Sequence, residues 1–168
     1  MEGVKTFPGF PVILVTVQYN IITVAALDFF SFKPPMMGVG ICPNRYSYEL
    51  IQEVKDFGIN IPTKDMIESV EFCGMNSGRD MDKFEAAGLT VMEPKIIKSK
   101  LIKECPVNLE CKVVKELYLS TEFGGTHDWF IGRVETAHID EEYDKTQALV
   151  YWWKKYRTVS DVFYTSKI

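Results

Sequence analysis

The sequence has no excess of basic residues, and this absence excludes several classes of function. Its lysines and arginines number 19 against 23 aspartates and glutamates, which gives a formal net charge of −4 at pH 7. A general nucleic-acid-binding protein, or one that binds anionic membrane surfaces, would usually carry a basic excess. We therefore expect neither nucleic acid nor a membrane as a partner, while local anion sites stay open.

Cysteine and histidine are also scarce. The four cysteines, at positions 42, 73, 105 and 111, form no Cys-x-x-Cys pair, and no glycosylation signal of the Asn-x-Ser/Thr type occurs. Reduced thiols in a cytoplasmic protein are the expectation. The two histidines, His127 and His138, match no zinc motif, so we predict no metal site.

A long uninterrupted apolar run is missing as well. Residues 10–27 are rich in apolar side chains, but Gln18 and Asn20 interrupt them. A membrane-spanning helix needs about 20 mostly apolar residues. This segment therefore predicts two buried strands with a tight connection, and no targeting segment.

What the chain does have is an ordinary globular composition. It is 46% hydrophobic and 25% charged over 168 residues, which excludes a disordered chain. A chain of this length can bury about 70% of the surface that its unfolded form exposes, without disulfides or metals. We expect one domain over residues 1–168.

Periodicity predicts the elements. Apolar and β-branched runs or alternating patterns favour six strands, at residues 12–17, 21–27, 36–42, 57–61, 107–113 and 129–139. A period of 3.6 residues favours helices over residues 45–56, after a cap at Thr63, and between a Ser77–Asp80 capping box and Gly88. In that third helix, Met81 and Phe84 are expected to face inward.

The end of the chain has a weaker pattern. Residues 123–126 predict a turn between two strands of a hairpin, and a helical or irregular tail carries Trp152, Trp153, Tyr156 and Tyr164. Strands followed by helices and then strands do not give a doubly wound sheet. This order favours an antiparallel barrel or sandwich of the mainly β or α+β class.

Two segments are candidate anion sites. Residues 42–47 connect a predicted strand to a helix, and Arg45, Ser47 and the free N–H groups of the first turn could hold a phosphate. Residues 77–83 offer the small Gly78 and the cations Arg79 and Lys83. The alternatives are a plain loop in which Asn44 caps the helix, and an ordinary capping box with solvated charges.

Motifs of dinucleotide-binding folds are absent. Gly38-Val39-Gly40 lacks the third glycine of the fingerprint, because Pro43 stands in its place, and it lies inside a predicted strand. No Walker loop or nucleophile elbow occurs either.

The order of several motifs resembles that of the flavin reductase-like family, the FMN-binding split barrels that include flavoredoxins. The resemblance extends from about residue 10 to residue 139. The strings that carry it are PVILVTV, NIITVAAL, SFKPP, CPNRYS, FGINIP, CGMNSGRDMDKF and IGRVE, in that order.

The resemblance implies a fold and a cofactor. The fold is a six-stranded antiparallel split barrel with a few short helices, usually a homodimer, with one FMN per protomer near the dimer interface. Thr23 to Ala26 (Thr23, Val24, Ala25 and Ala26) match the family's strand that lines the flavin ring. Asn44, Arg45 and Ser47 match its loop for the phosphate and ribityl chain, and Ser77, Gly78 and Lys83 match its second loop that closes on the flavin. Asn60 matches the family's F-x-x-N strand. For Asn60 an interior structural role is an equal alternative.

The implied activity is that of an oxidoreductase that passes electrons from NAD(P)H or a redox protein, via FMN, to an acceptor. A flavoredoxin-like electron carrier without NAD(P)H turnover stays open, as does a non-catalytic barrel with another cofactor. His127 is the catalytic candidate, since a polar residue in this region of similar reductases can approach the flavin or nicotinamide. The alternative is an edge-strand histidine in water. Cys42 and Cys73 are expected to be buried thiols without a redox role.

Overall fold

The computed structural model of this chain describes residues 9–159, in which β-strands outnumber helices. The strands are β1 Phe10–Pro11, β2 Ile13–Val17, β3 Asn20–Val24, β4 Leu27–Phe32, β5 Pro35–Ile41, β6 Asp56–Ile61, β7 Val91–Met92, β8 Leu101–Ile102, β9 Val107–Leu117, β10 Asp128–Ile139, β11 Leu149–Tyr151 and β12 Tyr156–Thr158. The helices are α1 Tyr46–Val54, α2 Ile67–Met75, α3 Lys83–Ala86 and α4 Leu119–Phe123, with 3₁₀ turns at Lys64–Met66 and Lys145–Gln147.

A seven-stranded antiparallel sheet forms the body of the molecule, in the order β3-β2-β6-β9-β10-β5-β4. The expected class, mainly β with a few short helices, is confirmed. The number of strands is seven rather than six. The strand that the sequence pattern did not predict is β4, whose aromatic side chains are largely exposed and do not alternate.

The two edges of this sheet are consecutive in sequence. β3 and β4 lie at opposite ends of the strand order, and only Ala25 and Ala26 connect them. The backbone N–H of Gly40 on β5 donates to the Ala26 carbonyl at 2.7 Å. The sheet therefore curls until its edges come close together, which gives a half-barrel.

The curled sheet is packed on both faces, and β2 illustrates why. Its side chains at Ile13, Val15 and Val17 belong to one hydrophobic cluster, together with residues of α1. Val12, just before the strand, and Leu14 belong to a second cluster, which includes residues of α2 and α3. This is the strand buried on both faces that its continuous β-branched run predicts.

The first two helices are close to their predicted positions. α1 buries Ser47, Leu50 and Ile51 and ends at Lys55, whose φ of 57° is left-handed. α2 follows the 3₁₀ turn at Lys64–Met66. Thr63 occupies the position before that turn, but its side chain makes no capping hydrogen bond, so the predicted cap is not formed.

The third helix begins later than predicted. Ser77–Asp80 does not cap it; the cap is Asp82, whose carboxylate accepts from the N–H groups of Phe84 and Glu85. Phe84 is buried as expected, whereas Met81 is 37% exposed because it precedes the helix. Gly88 ends the segment with a φ of 66°.

The predicted hairpin is formed, since β9 and β10 pair in antiparallel register, but the short helix α4 precedes its turn and ends at Gly124 with a φ of 68°. The tail contains irregular segments as expected, and also strands that were not predicted: β11 pairs with both β1 and β12 in a small antiparallel sheet. Tyr164 lies outside the described residues. Within residues 9–159 no helix is long and apolar enough to span a membrane.

Candidate functional site

Two adjoining pockets lie beside the edge strand β3. The first, called here the polar pocket, has a volume of about 140 Å³. Its walls come from β3, the loop before α1, and the segment from the end of α2 to the start of α3. It is lined by Asn20, Ile22, Asn44, Arg45, Tyr46, Ser47, Cys73, Gly74, Asn76, Ser77, Gly78 and Lys83.

Arg45 supplies the exposed positive charge of the polar pocket. It occupies the N-cap position of α1 in an extended conformation, and its side chain makes no capping bond. Asn44 therefore does not cap this helix. Because α1 begins at Tyr46, the free N–H groups of its first turn add positive potential at the same end. A guanidinium beside a helix N-terminus is a suitable setting for a phosphate.

An unpaired acceptor faces the same pocket. Asn20 is only 6% exposed, and its Nδ2 donates to the Ser47 hydroxyl at 2.7 Å. Its Oδ1 is buried and has no hydrogen-bond partner among the described residues. A Cβ at Gly78 would overlap this oxygen, so glycine allows the loop to approach closely. A buried acceptor without a donor is costly, and a ligand hydroxyl or N–H would satisfy it.

Sequence reasoning missed the role of Asn20. The residue was assigned to a turn, although it is the first residue of β3. The only signal was its place at the start of the NIITVAAL string.

Lys83 also lines the polar pocket. It is 3% exposed, and its Nζ donates to the carbonyls of Ile21, at 2.7 Å, and Cys73, at 2.8 Å. Burial lowers the pKa of this amine, the Cys73 thiol opposes that shift, and Arg45 adds to it. The Lys83 ammonium thus connects the edge strand β3 to α2. Two of its three N–H donors are used in these bonds, and the third is left for a ligand.

The second pocket, called here the slot, adjoins the first. It has a volume of about 120 Å³ and shares Ile22 and Arg45 with the polar pocket. Its remaining walls come from the crossover between β3 and β4, the end of β5 and the start of β10. The full lining is Ile22, Thr23, Val24, Ala25, Ala26, Gly40, Ile41, Cys42, Arg45 and His127.

The walls of the slot are small and fixed. The Thr23 hydroxyl donates to the Val70 carbonyl at 2.6 Å, which holds β3 against α2. A Cβ on Gly40 would lie 2.9 Å from that of Ala26, so glycine lets β5 pack closely against the crossover. Small residues around a crossover leave space for a flat group that lies against the backbone.

Cys42 and His127 both line the slot and are in direct contact. Cys42 Sγ lies 3.2 Å from His127 Nε2, and His127 Nδ1 lies 2.9 Å from the Thr126 hydroxyl. Cys42 is half-buried rather than buried as expected. His127 directly precedes β10, which lies between β9 and β5, so it is not an edge-strand histidine.

The structure does not bring every predicted residue to the site. Asn60 is fully buried on β6, where its Nδ2 donates to the Leu14 carbonyl and its Oδ1 accepts from Ile102 N–H and Asn108 Nδ2. It lines neither pocket and connects interior segments instead. Arg79, the other candidate cation of its loop, pairs with Glu49 on the surface.

Among residues 9–159, no three histidine, cysteine, aspartate or glutamate side chains are grouped in a way that could hold a metal ion.

Comparisons with known proteins agree with this architecture. Residues 5–160 match the family model described as flavin reductase like domain. An uncharacterized protein of Archaeoglobus fulgidus is 37% identical over 115 residues, which covers 68% of this chain and 62% of that protein. The chain therefore matches less than two thirds of that relative's length.

Two solved structures are similar over almost the whole chain. A flavoredoxin from Methanosarcina acetivorans is 29% identical, with a TM-score of 0.84, over 95% of this chain and 89% of that one. An FMN-binding protein from Thermus thermophilus, solved with bound p-hydroxybenzaldehyde, is 21% identical, with a TM-score of 0.86, over 99% and 95% of the two chains. The second likeness shows the fold alone.

Proposed function

The chain belongs to the flavin reductase like domain family, and from that premise we propose that it is an FMN-binding oxidoreductase. The observation that carries the proposal is the adjacency of the two pockets. A polar pocket with an exposed guanidinium and an unpaired acceptor adjoins a slot that Ala25, Ala26 and Gly40 help to line, and Arg45 borders both. FMN has the same two parts, a phosphorylated chain and a flat ring.

The residues of the polar pocket fit the phosphate end in charge and in hydrogen bonding. Arg45, the first turn of α1 and the hydroxyls of Ser47 and Ser77 offer donors to a phosphate dianion. Asn20 Oδ1 needs a donor, and the ribityl chain has hydroxyl groups that can supply one. We therefore assign this end of the site to the phosphate and ribityl chain.

The slot fits the ring. Thr23, Val24, Ala25 and Ala26 present backbone and small side chains on the sheet edge, where β3 has no neighbouring strand beyond it. Bound FMN supplies the transfer of a hydride or of single electrons, which no side chain can provide. The protein's part is to fix the ring against the β3–β4 crossover and to exclude water from one face, and His127 lines the same slot.

Two electron donors are candidates, NAD(P)H and a redox protein. An NAD(P)H-dependent enzyme that reduces an acceptor through FMN is the leading proposal. The likeness to the flavoredoxin of Methanosarcina acetivorans favours a second candidate, an electron carrier with bound FMN and no NAD(P)H turnover. Sustained oxidation of NADH or NADPH with added flavin supports the enzyme, and its absence with FMN bound supports the carrier.

A homodimer completes the proposal. Pockets of about 140 and 120 Å³ are each smaller than the roughly 300–1,000 Å³ of typical small-molecule sites, and a second copy would add a further wall. The edge strand β4 exposes Phe29, Phe30 and Phe32, an apolar surface suited to a second copy. Sedimentation equilibrium should give twice the chain mass, and a monomer would contradict this part.

The visible absorption spectrum of the purified protein tests the whole proposal. It is recorded before and after addition of FMN and desalting. Oxidised-flavin bands that stay with the protein are the expected result. A protein that neither carries nor retains FMN contradicts the proposal, and a bound chromophore with another spectrum indicates a barrel with a different cofactor.

A further inference from the structure

Cys42 stands apart from the other three cysteines of the chain. Cys73, Cys105 and Cys111 are at most 3% exposed. Burial raises the pKa of the Cys73 thiol to about 11, although Lys83 opposes the shift, and burial also raises the pKa of Cys105 and Cys111. Thiols of this kind ionise little at neutral pH and are hard to reach. Cys42 is half-buried and lines the slot.

The imidazole beside Cys42 can accept its proton. Thr126 fixes the His127 ring through Nδ1, and Nε2 lies 3.2 Å from Cys42 Sγ. When Nδ1–H donates to the Thr126 hydroxyl, Nε2 is free to accept the proton from sulfur. A thiol and an imidazole within reach, with the imidazole oriented by a third group, is the arrangement that produces a nucleophilic thiolate.

The positive charge of Arg45 determines which kind of molecule the slot would attract. Of the described residues that line it, Cys42, His127 and Arg45 are the ones that titrate or carry charge. Arg45 is a permanent cation, and it favours an anionic molecule. The slot that Cys42 lines has a volume of about 120 Å³.

From these observations we propose that Cys42 is a site of reversible S-thiolation, in which it forms a mixed disulfide with a small disulfide that carries carboxylates. His127 Nε2 takes the thiol proton, and the Cys42 thiolate attacks one sulfur of the disulfide. The bond between Cys42 and that sulfur forms as the original S–S bond breaks. His127 returns the proton to the departing thiolate, so Cys42 is oxidised and half of the disulfide is reduced.

The modification would also regulate the site. The adduct occupies the slot beside Thr23 to Ala26, where the proposed function places the flavin ring. This consequence rests on the proposed function, whereas the thiolation itself does not. Thiolated protein should lose FMN, and dithiothreitol should restore binding.

Intact-mass spectrometry of FMN-free protein incubated with oxidised glutathione tests the proposal. We expect one adduct, localised to Cys42 by peptide mapping and absent in Cys42→Ser and in Cys42→Ala. The cationic disulfide cystamine should react more slowly than oxidised glutathione. Adducts on the buried cysteines in preference to Cys42, or no adduct at all, would overturn the proposal, and faster reaction with cystamine would overturn the role of Arg45.

The role of His127 is tested by the rate. General bases typically contribute about a hundredfold or more to a rate. We expect His127→Gln to slow thiolation at pH 7 by at least about tenfold. His138→Gln is the matched control, since that histidine binds Glu110 away from the slot, and its rate should stay unchanged. Equal rates for the two variants would contradict the role of His127.

The two proposals fail separately. If Cys42 is thiolated but the protein never retains FMN, the modification site stands and the flavin function falls. If FMN binds and Cys42 stays unmodified in FMN-free protein, the modification site falls and the flavin function stands.

Discussion

At the scale of single residues, the polar pocket depends on Arg45. Its guanidinium is exposed beside the N-terminus of α1, and no other described arginine lines the pocket. Hydrogen bonds to charged groups contribute about 1.5–3 kcal/mol each. Arg45→Ala should therefore weaken FMN binding by about tenfold to a hundredfold, measured by quenching of flavin fluorescence. Arg133→Ala removes an equal charge that pairs with Glu135, and it should leave binding unchanged. Equal losses in the two variants would contradict a local role for Arg45.

A second residue-scale prediction concerns Glu110, whose side chain is fully buried. Its carboxylate accepts from the N–H groups of residues 95–97 and from His138 Nε2. Burial alone would raise its pKa, but these donors outweigh burial and hold the pKa below its usual value. Such a carboxylate stabilises the fold above its unfolded pKa of about 4.3, and this contribution is lost as the pH falls through the folded pKa.

Glu110→Gln should accordingly lower the free energy of unfolding at pH 7 by about 1–3 kcal/mol. The gap between wild type and variant should narrow as the pH falls below about 4. Urea unfolding of wild type and variant, at pH 7 and at a pH below about 4, measures this difference in the free energy of unfolding. Glu93→Gln is the control, because Glu93 is 73% exposed and pairs with Lys100 on the surface; its effect should stay within about 0.5 kcal/mol. A gap that is constant with pH would contradict this account.

At the scale of elements, the question for α3 is which aspartate caps its N-terminus. Asp82 accepts from two backbone N–H groups of α3, whereas Asp80 lies in the preceding segment and makes no such bond. Asp82→Ala should destabilise the protein by about 1 kcal/mol, the usual cost of a lost cap. Asp80→Ala should have little effect. Thermal unfolding of the two variants distinguishes them, and the reverse order would support the capping box that the sequence suggests.

Elements with a burial pattern could be predicted from the sequence. β2 and β9 are half or fully buried, so hydrophobic runs and alternation report them directly. β4 was missed because it lies at the sheet edge with mostly exposed side chains. β11 was missed because its pairing with β1 joins distant parts of the chain, which a local pattern does not record.

The same limit applies to the candidate site. The family resemblance, now confirmed, pointed to Arg45 and to the crossover at Ala25 and Ala26, because these belong to contiguous strings. It could not show that Lys83 would be committed to two backbone carbonyls. Nor could it bring Cys42 beside His127, since that contact depends on the pairing of β5 with β10.

At the scale of the whole molecule, ligand binding and folding are linked. A ligand that binds only the folded state at 100 times its Kd stabilises that state by about 2.7 kcal/mol. For a chain of this size, 1 kcal/mol shifts Tm by roughly 2–4 °C. Saturating FMN should therefore raise Tm by about 5–10 °C, measured by calorimetry, and the shift should be much smaller in Arg45→Ala. An unchanged Tm despite retained FMN would contradict exclusive binding to the folded state.

The placement of β3 and β4 on opposite edges also determines the order in which the chain can fold during synthesis. The hairpins β2–β3 and β4–β5 leave the ribosome early and only two residues apart, yet β6, β9 and β10 must lie between them in the finished sheet. The inner edge of β2 gains its neighbour when β6 has emerged, whereas that of β5 has no neighbour until β10 has emerged. The nascent chain must keep these two edges from pairing with each other, and sheets with distant pairings form on the millisecond-to-second timescale. The crossover that lines the slot is thus translated before the strands whose pairing brings the two edges of the sheet together.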